Sequence, residues 1–378
     1  MRVSFLGDIM ITKEQLVSYK MDGRYNFAPA LKSIGREFAK SDLIIANLET
    51  PLAGEKAGYT KEQYSFNTPI ELAETLKAMG VSIVTTANNH CLDRGEKGLI
   101  ETIHNLQACN LEHLGTHVEE EDSYIIKEID GIRVGFLSFT YGTNAFSNGN
   151  YLAKKHRYMV DMLQRQELSN PLKRKVWLSG FYPFRCLRAV LRRIHAGQFD
   201  KMVFERREQD KEELRYYKDT VMKCKNVGKA DYVIACLHIG GQYNIFPTDY
   251  TKEICKLSKE AGVNAVIANH EHVIHGIEPG GGISGASFCI YSLGNFLSSS
   301  GVTKAPYDKG AEYSLALNID LTRDGAGKVS GEYSFELFTN CLDEYNRVVS
   351  RPLIDHIVQC SDERLRDRLL EDYNIFNE

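Results

Sequence analysis

Five short apolar runs in this sequence each lead into residues that can bind a metal ion. Val3–Leu6 leads into Gly7-Asp8, Leu43–Ala46 into Asn47-Leu48-Glu49, Ser82–Thr85 into Asn88-Asn89-His90, the run ending at Leu237 into His238, and Ala265–Ala268 into Asn269-His270-Glu271-His272. Carboxylate, amide and imidazole donors together suit Mn, Fe or Zn better than Ca or Mg. His270 and His272 form the most specific pair. Side chains two apart on an extended segment project to the same side and can approach one ion or two adjacent ones.

Taken singly, each residue has a plainer reading. Asp8 fits a turn after a strand, Glu49 a solvated loop charge, and Asn88-Asn89 a turn that tolerates left-handed backbone. His90 fits a cap on the following helix, and His238 a hydrogen-bonded core histidine. The coincidence at one segment end after another is what points to a metal site. Two rival motifs fail. His270-Glu271 matches the start of a zincin helix, but that motif needs a second His four residues on, where the chain has Ile274. Cys91, beside His90, carries no cysteine-enzyme signature and reads as structural.

The elements that would position these residues follow from the hydrophobic pattern. Val3–Leu6, Leu43–Ala46, Ser82–Thr85, Val134–Phe139, Tyr232–Leu237 and Ala265–Ala268 are continuous apolar runs, as in strands covered on both faces. Between them, Ile70–Met79, Glu96–Ala108 and Asp249–Ala261 have helical spacing, with Gly80, Asn110 and Gly262 at or just past their ends. This β-α-β rhythm predicts a layered α/β domain whose functional residues gather along one edge of the sheet. Phe288–Leu293, Ser314–Leu321 and Tyr333–Leu337 read as further strands that add antiparallel members, and from Pro352 a charged helix is expected.

Composition narrows the class. With 378 residues, 43% hydrophobic and 25% charged, the chain has the make-up of a soluble globular protein, not a disordered or fibrous one. A net charge of -4 argues against a nucleic-acid partner. The nine cysteines are odd in number, scattered and without a C-x-x-C pair, which excludes a disulfide framework and a cysteine zinc site and fits a reducing cytoplasm. The first apolar run meets Asp8 too soon for a signal peptide. No apolar stretch reaches the roughly 18 to 20 residues needed to span a bilayer, so the expected location is cytoplasmic, with peripheral contact at the inner face of the membrane as a variant. One stretch departs from the average: residues 154–207 hold 14 Lys and Arg against 4 Asp and Glu, a local charge of +10. After Pro183, the residues Phe184, Leu187, Leu191 and Ile194 recur at helical spacing among Arg185, Arg188, Arg192 and Arg193. Such a basic amphipathic pattern serves as a solvated helical excursion, a lid or acidic-polymer contact, or a dock for an anionic membrane or a partner.

The series Gly7-Asp8, Asn47-Leu48-Glu49-Thr50-Pro51-Leu52, Ala87-Asn88-Asn89-His90-Cys91-Leu92-Asp93-Arg94-Gly95, Thr140-Tyr141-Gly142-Thr143-Asn144, His238-Ile239-Gly240, His270-Glu271-His272-Val273 and Tyr291-Ser292-Leu293-Gly294-Asn295-Phe296 resembles the CapA family of capsule and poly-γ-glutamate synthesis, within the calcineurin-like metallophosphoesterase superfamily. The resemblance implies an α/β fold of the calcineurin-like metallophosphatase type, a two-layer β-sandwich flanked by helices. Residues 1–145 and 208–345 would form it, with a basic insertion at 146–207 and a helical segment at 346–378. It further implies two divalent metal ions, Mn, Fe or Zn. Asp8 would bind one, Glu49 would bridge both, Asn89 and His238 would bind the second, and His270 and His272 would divide between them. His90, held by Asp93, would stand beside the centre as proton donor. Asn47, Asn88, Tyr141, Asn144, Ser292 and Asn295 would line the substrate side, although a buried structural turn fits the Ser292–Asn295 loop at least as well. Met10 replaces the superfamily's usual histidine, and Ile239 and Gln242 replace its usual Trp and Glu. The implied activity is hydrolysis of a phosphoester by a metal-bridging hydroxide in capsule or surface-polymer biosynthesis. Amide hydrolysis or ligase-type chemistry on a γ-glutamyl polymer is one alternative; a non-catalytic accessory or polymer-binding protein with a structural metal site is the other.

Overall fold

Strands whose two faces are both apolar must be covered on both sides, and the chain meets this demand with two sheets packed face to face between helices. The computed structural model describes residues 1–32, 34–61, 64–166, 211–244, 246–278, 287–303 and 310–377. The amphipathic pattern after Pro183, and with it most of the basic stretch, lies outside the described residues. In chain order the strands are β1 (Arg2–Ile9), β2 (Lys20–Met21), β3 (Arg24–Tyr25), β4 (Leu43–Leu48), β5 (Ile83–Thr85), β6 (Glu112–Leu114), β7 (Ile125–Ile129), β8 (Ile132–Thr140), β9 (Tyr232–His238), β10 (Ala265–Asn269), β11 (Ile274–Glu278), β12 (Phe288–Leu293), β13 (Asn295–Leu297), β14 (Tyr313–Arg323), β15 (Val329–Leu342) and β16 (Val348–Pro352).

One sheet has the order β16-β15-β14-β1-β4-β5-β6, with β13 also paired to β1; the other has the order β11-β12-β10-β9-β8-β7, and β2-β3 is a separate hairpin. The first sheet is parallel from β1 through β6 and antiparallel through β14, β15 and β16. In the second, β8, β9, β10 and β12 are parallel, with β7 and β11 antiparallel at the edges. Side chains alternate along these strands. Val3 and Phe5 of β1 meet Val134, Phe136, Ile234 and Ile267 between the sheets, while Leu6 and Ile44 face outward onto Leu16, Leu72 and Leu76. On the other outer face, Val233 and Ala235 pack on Leu214, Tyr217 and Ile254 of the helices Lys211–Asn226 and Asp249–Ala261. This is the helix-flanked β-sandwich expected from the sequence.

Helix Asp249–Ala261 keeps its expected bounds because both ends are chemically marked: the Thr248 hydroxyl accepts from the Thr251 N–H at 3.1 Å, and Gly262 takes a left-handed φ of 99°. The C-terminal stretch differs from the expected helical segment. It opens as strand β16, because Val348–Pro352 pairs with β15, and continues as two helices, Leu353–Gln359 and Glu363–Asn377. The break comes at Asp362, whose carboxylate accepts from the Leu365 N–H at 3.1 Å. The described start of the basic stretch packs on the sandwich. Lys154–Met159 forms a 3-10 turn, Val160 bridges to Thr116, and Met162 bridges to Thr140. Beneath it, His117 Nε2 lies 2.9 Å from the buried carboxylate of Asp161, and Nδ1 lies 3.0 Å from Glu121.

Two consequences of this packing are measurable. A Cβ on Gly7 would fall 2.1 Å from the carbonyl oxygen of Gly294, a backbone atom with no freedom to retreat. Gly7→Ala is expected to lower folding stability by about 1–3 kcal/mol in denaturant unfolding. For His117, burial pushes the imidazole down, but Asp161 and Glu121 override it and raise the pKa to about 9. The unfolded histidine titrates near 6.5, so this contribution is complete below about pH 6.5 and is lost as pH rises through about 9. Unfolding free energies measured from pH 6.5 to 9.5 should fall by on the order of 3 kcal/mol more in the wild type than in His117→Gln.

Candidate metal centre

The loop-side ends of β1, β4, β5, β9 and β10 meet along one edge of the sandwich. There they place Asp8, Glu49, Asn89, His238, His270 and His272 within a single buried cluster, each at most 2% exposed. Ligand atoms of Asp8, Glu49 and His238 all lie within 4.8 Å of one another, and so do those of Glu49, His270 and His272. Glu49 is common to both groups. One half of the cluster belongs to each sheet.

Local backbone irregularities deliver these side chains. The β1–β4 register shifts between Leu6 and Asp8, so Gly7 is an extra residue that re-aims Asp8 toward the second sheet. His270 and His272 do not lie on an extended segment, as their spacing predicts. They follow the end of β10 in a bend with φ of 103° and 60°, a conformation rare outside glycine. Their rings converge to 5.9 Å between centroids because the backbone reverses, and not by strand alternation. Next to this bend Gly240 holds a φ of 121°, which L side chains rarely adopt, and a Cβ there would press on the Glu271 side chain.

The two carboxylates are treated differently. Asp8 accepts from Asn47 Nδ2 at 2.6 Å and from the His270 N–H at 3.2 Å, and stands 3.2 Å from His272 Nδ1. Burial alone would raise its pKa; His272, His238 and Asn47 hold it below the ordinary value instead. Glu49 is fully buried, and among the described residues neither of its oxygens has a hydrogen-bond partner. Around Oε1 stand His238 Nε2 at 3.4 Å and the Nε2 atoms of His90 and His272 at 3.9 Å each. A buried carboxylate without donors is costly, and a ring of imidazole nitrogens with a second carboxylate close by is the donor set of a cation. The residues therefore fit divalent metal. The imidazoles respond unequally. Burial, then His238, His272 and His90, holds His270 well below the ordinary histidine pKa. For His272 burial is outweighed by Glu49 and Asp8, which raise it to about 9.

His90 stands at the side. Its Nδ1 is 2.7 Å from Asp93 Oδ2, an oxygen that also accepts from the Phe66 N–H at 2.7 Å, and the Phe66 ring covers the imidazole at 4.5 Å. The Cys91 thiol is buried in the core, which pushes its pKa up to about 12. That is the state of a structural cysteine and not of a nucleophile.

The six residues expected on the substrate side separate into two sets. Asn47, Asn88, Ser292 and Asn295 are at most 3% exposed and lie beneath the cluster. Asn47 supports Asp8, Asn88 donates to the Leu48 carbonyl at 2.8 Å, Ser292 accepts from the Gly294 N–H, and Asn295 Oδ1 meets His272 Nδ1 at 3.0 Å. Tyr141 and Asn144 are partly exposed at its margin, the former against the His270 ring at 4.8 Å. Met10 is buried in the core. Phe66 and Tyr243, the latter 5.4 Å from the His272 ring, were not legible in the sequence. Tyr243 takes a φ of 60° that its residue type does not announce.

The chain is similar to the capsule biosynthesis protein CapA of Bacillus anthracis, at 23% identity over 353 residues that span 92% of this chain and 71% of that protein. It is likewise similar to the PGA biosynthesis protein CapA of Bacillus subtilis (strain 168), at 23% identity over 323 residues, 83% of this chain and 68% of that one. Among solved structures, a hypothetical protein from Thermus thermophilus aligns with a TM-score of 0.40 at 15% identity, covering 89% of this chain and 99% of that chain. The sulfate thiohydrolase SoxB aligns with a TM-score of 0.39 at 10% identity, covering 98% of this chain and 59% of that chain. The sequence profile of the bacterial capsule synthesis protein PGA_cap matches residues 2–300, and the chain belongs to this family.

Proposed function

We propose that the chain is a metal-dependent hydrolase of capsule or surface-polymer biosynthesis that cleaves a phosphoester. The observation that carries this reading is the Glu49 carboxylate, fully buried and, among the described residues, without hydrogen-bond partners and shared by both groups of metal-ligating side chains. Family membership and the names of the two CapA relatives support the biosynthetic setting. Asp8, Glu49, Asn89, His238, His270 and His272 would hold two divalent ions, with Glu49 between them. When bound, such ions supply Lewis-acid polarisation of a phosphoryl oxygen and acidify water at neutral pH.

The protein's own groups do the rest. Asp93 holds the His90 Nδ1–H, which fixes the tautomer and leaves Nε2 facing the cluster. Protonated at Nε2, His90 hands its proton to the departing oxygen. Phe66 and Tyr141 cover His90 and His270 and keep bulk water from that side. Asn295 and Asn47 keep His272 and Asp8 oriented without spending a ligand position.

Metal analysis of purified protein tests the shared role of Glu49: Glu49→Gln should lose both ions while remaining folded by circular dichroism, and retention of a full complement would overturn that role. In reconstituted protein, His90→Ala should keep the metal content and lower kcat on an aryl phosphate or phosphodiester by about 10²–10⁴-fold. No turnover by the wild type with Mn, Fe, Zn or Co on either ester, together with cleavage of a γ-glutamyl amide, would replace the phosphoester by an amide.

A further inference from the structure

The turn that carries Asn89, His90 and Asp93 is gripped from the other sheet by the loop that leaves β8, and the grip is made of asparagines. Asn144 donates its backbone N–H to the Asn89 carbonyl at 2.8 Å, and its side-chain Oδ1 accepts from Asn89 Nδ2 at 3.4 Å. Its Nδ2 stands 3.3 Å from His90 Nδ1 and 3.5 Å from Nε2. Four residues on, Asn148 Nδ2 reaches Asp93 Oδ1 at 3.3 Å, and Asn150 Nδ2 donates to the Leu92 carbonyl at 2.8 Å.

The amide of Asn89 has two ends with opposite needs. Its Oδ1 faces the cluster, 2.8 Å from His238 Nε2, so its Nδ2 must point away and find an acceptor. Asn144 Oδ1 is that acceptor. Because the Asn144 oxygen is committed to Asn89, its own Nδ2 turns to the His90 ring, whose Nδ1–H is held by Asp93. A single amide thereby sets which end of Asn89 faces the metal ligands and rests against the His90 ring that Asp93 holds.

Resting on the metal reading above, we infer that Asn144 is a positioning residue of the centre and not a substrate contact. It aims the Asn89 oxygen at the ions, and the Asn144–Asn150 loop clamps the whole turn through Asn148 and Asn150. Support of this kind around a ligand is worth about 10–100-fold in metal affinity.

The test is calorimetric titration of metal-stripped full-length protein with MnCl2, which reads binding and not turnover. Asn144→Ala should weaken Mn²⁺ uptake by about 10–100-fold. Asn144→Asp, which keeps an acceptor for Asn89 Nδ2, should recover most of it. If Asn144→Ala does not fold, Asn144→Ser takes its place, since serine keeps a polar residue ahead of the short helix Ala145–Asn148 but cannot reach Asn89. Wild-type affinity in the shortened variant, or equal loss in Asn144→Asp, overturns the inference while the metal reading stands. A wild-type protein that takes up no Mn²⁺, Zn²⁺ or Fe²⁺ overturns both.

Discussion

The Glu49 carboxylate, sealed from water and given no hydrogen-bond donor among the described residues, is the constraint around which this site is arranged. An ionised carboxylate in such a place is tolerated only with compensating positive charge. Asp8 lies in the same cluster, which adds a second buried acid and sharpens the demand. The protein satisfies Asp8 from within, through Asn47, the His270 N–H and His272. Glu49 receives only the edges of imidazoles. The extra residue at Gly7 brings Asp8 to the same cluster, and the left-handed backbone at His270 and His272 brings their rings to it.

Neither sheet could build this arrangement alone. β1, β4 and β5 supply Asp8, Glu49 and Asn89, while β9 and β10 supply His238 and the histidine bend. Strand β13 ties the halves together, because Asp8 pairs in register with Asn295, and Asn295 in turn holds both His272 Nδ1 and the His272 carbonyl. The contacts of the centre therefore span large separations in sequence, 262 residues between Asp8 and His270 and 149 between Asn89 and His238. The cluster can form only when the inter-sheet core has set the relative height of the strands, so its geometry depends on apolar packing that contains no chemistry of its own.

What was legible in the sequence follows from this division. Strands such as β4 and β9 are covered on both faces, so composition alone marks them, and a polar residue at the end of such a run stands out. That is why Asp8, Glu49, His238, His270 and His272 were recognisable, and why the resemblance to CapA proteins could be assigned to specific positions. Orientation was less accessible. Asn47 and Asn295 read as possible substrate contacts because an asparagine after a strand has the same signature whether its amide points to the opening or back beneath a ligand. Phe66 and Asn148 leave no pattern at all, since their contacts with the His90 turn come from loops whose spacing is set by tertiary packing. The bend at His270 was misjudged as extended because positive φ at a histidine has no sequence marker.

The position of the long excursion between β8 and β9 also has a physical rationale. Thr140 and His238 are partners in the parallel pairing, and the Tyr141 N–H donates to the His238 carbonyl at 2.9 Å, so the chain leaves β8 at the edge that holds the cluster. A right-handed crossover must return to the opposite end of the sheet to begin β9, and helix Lys211–Asn226 makes that return. The extra sequence between β8 and β9 comes before this helix. It is added, moreover, at the edge where its first residues can work: Asn144, Asn148 and Asn150 reach the His90 turn, and Gln166 binds back to Thr143 at 2.6 Å and to the Leu152 N–H at 2.8 Å. The start of the excursion is therefore part of the centre's scaffold, which accounts for its asparagine-rich character in a region where a connecting loop would otherwise be free to vary.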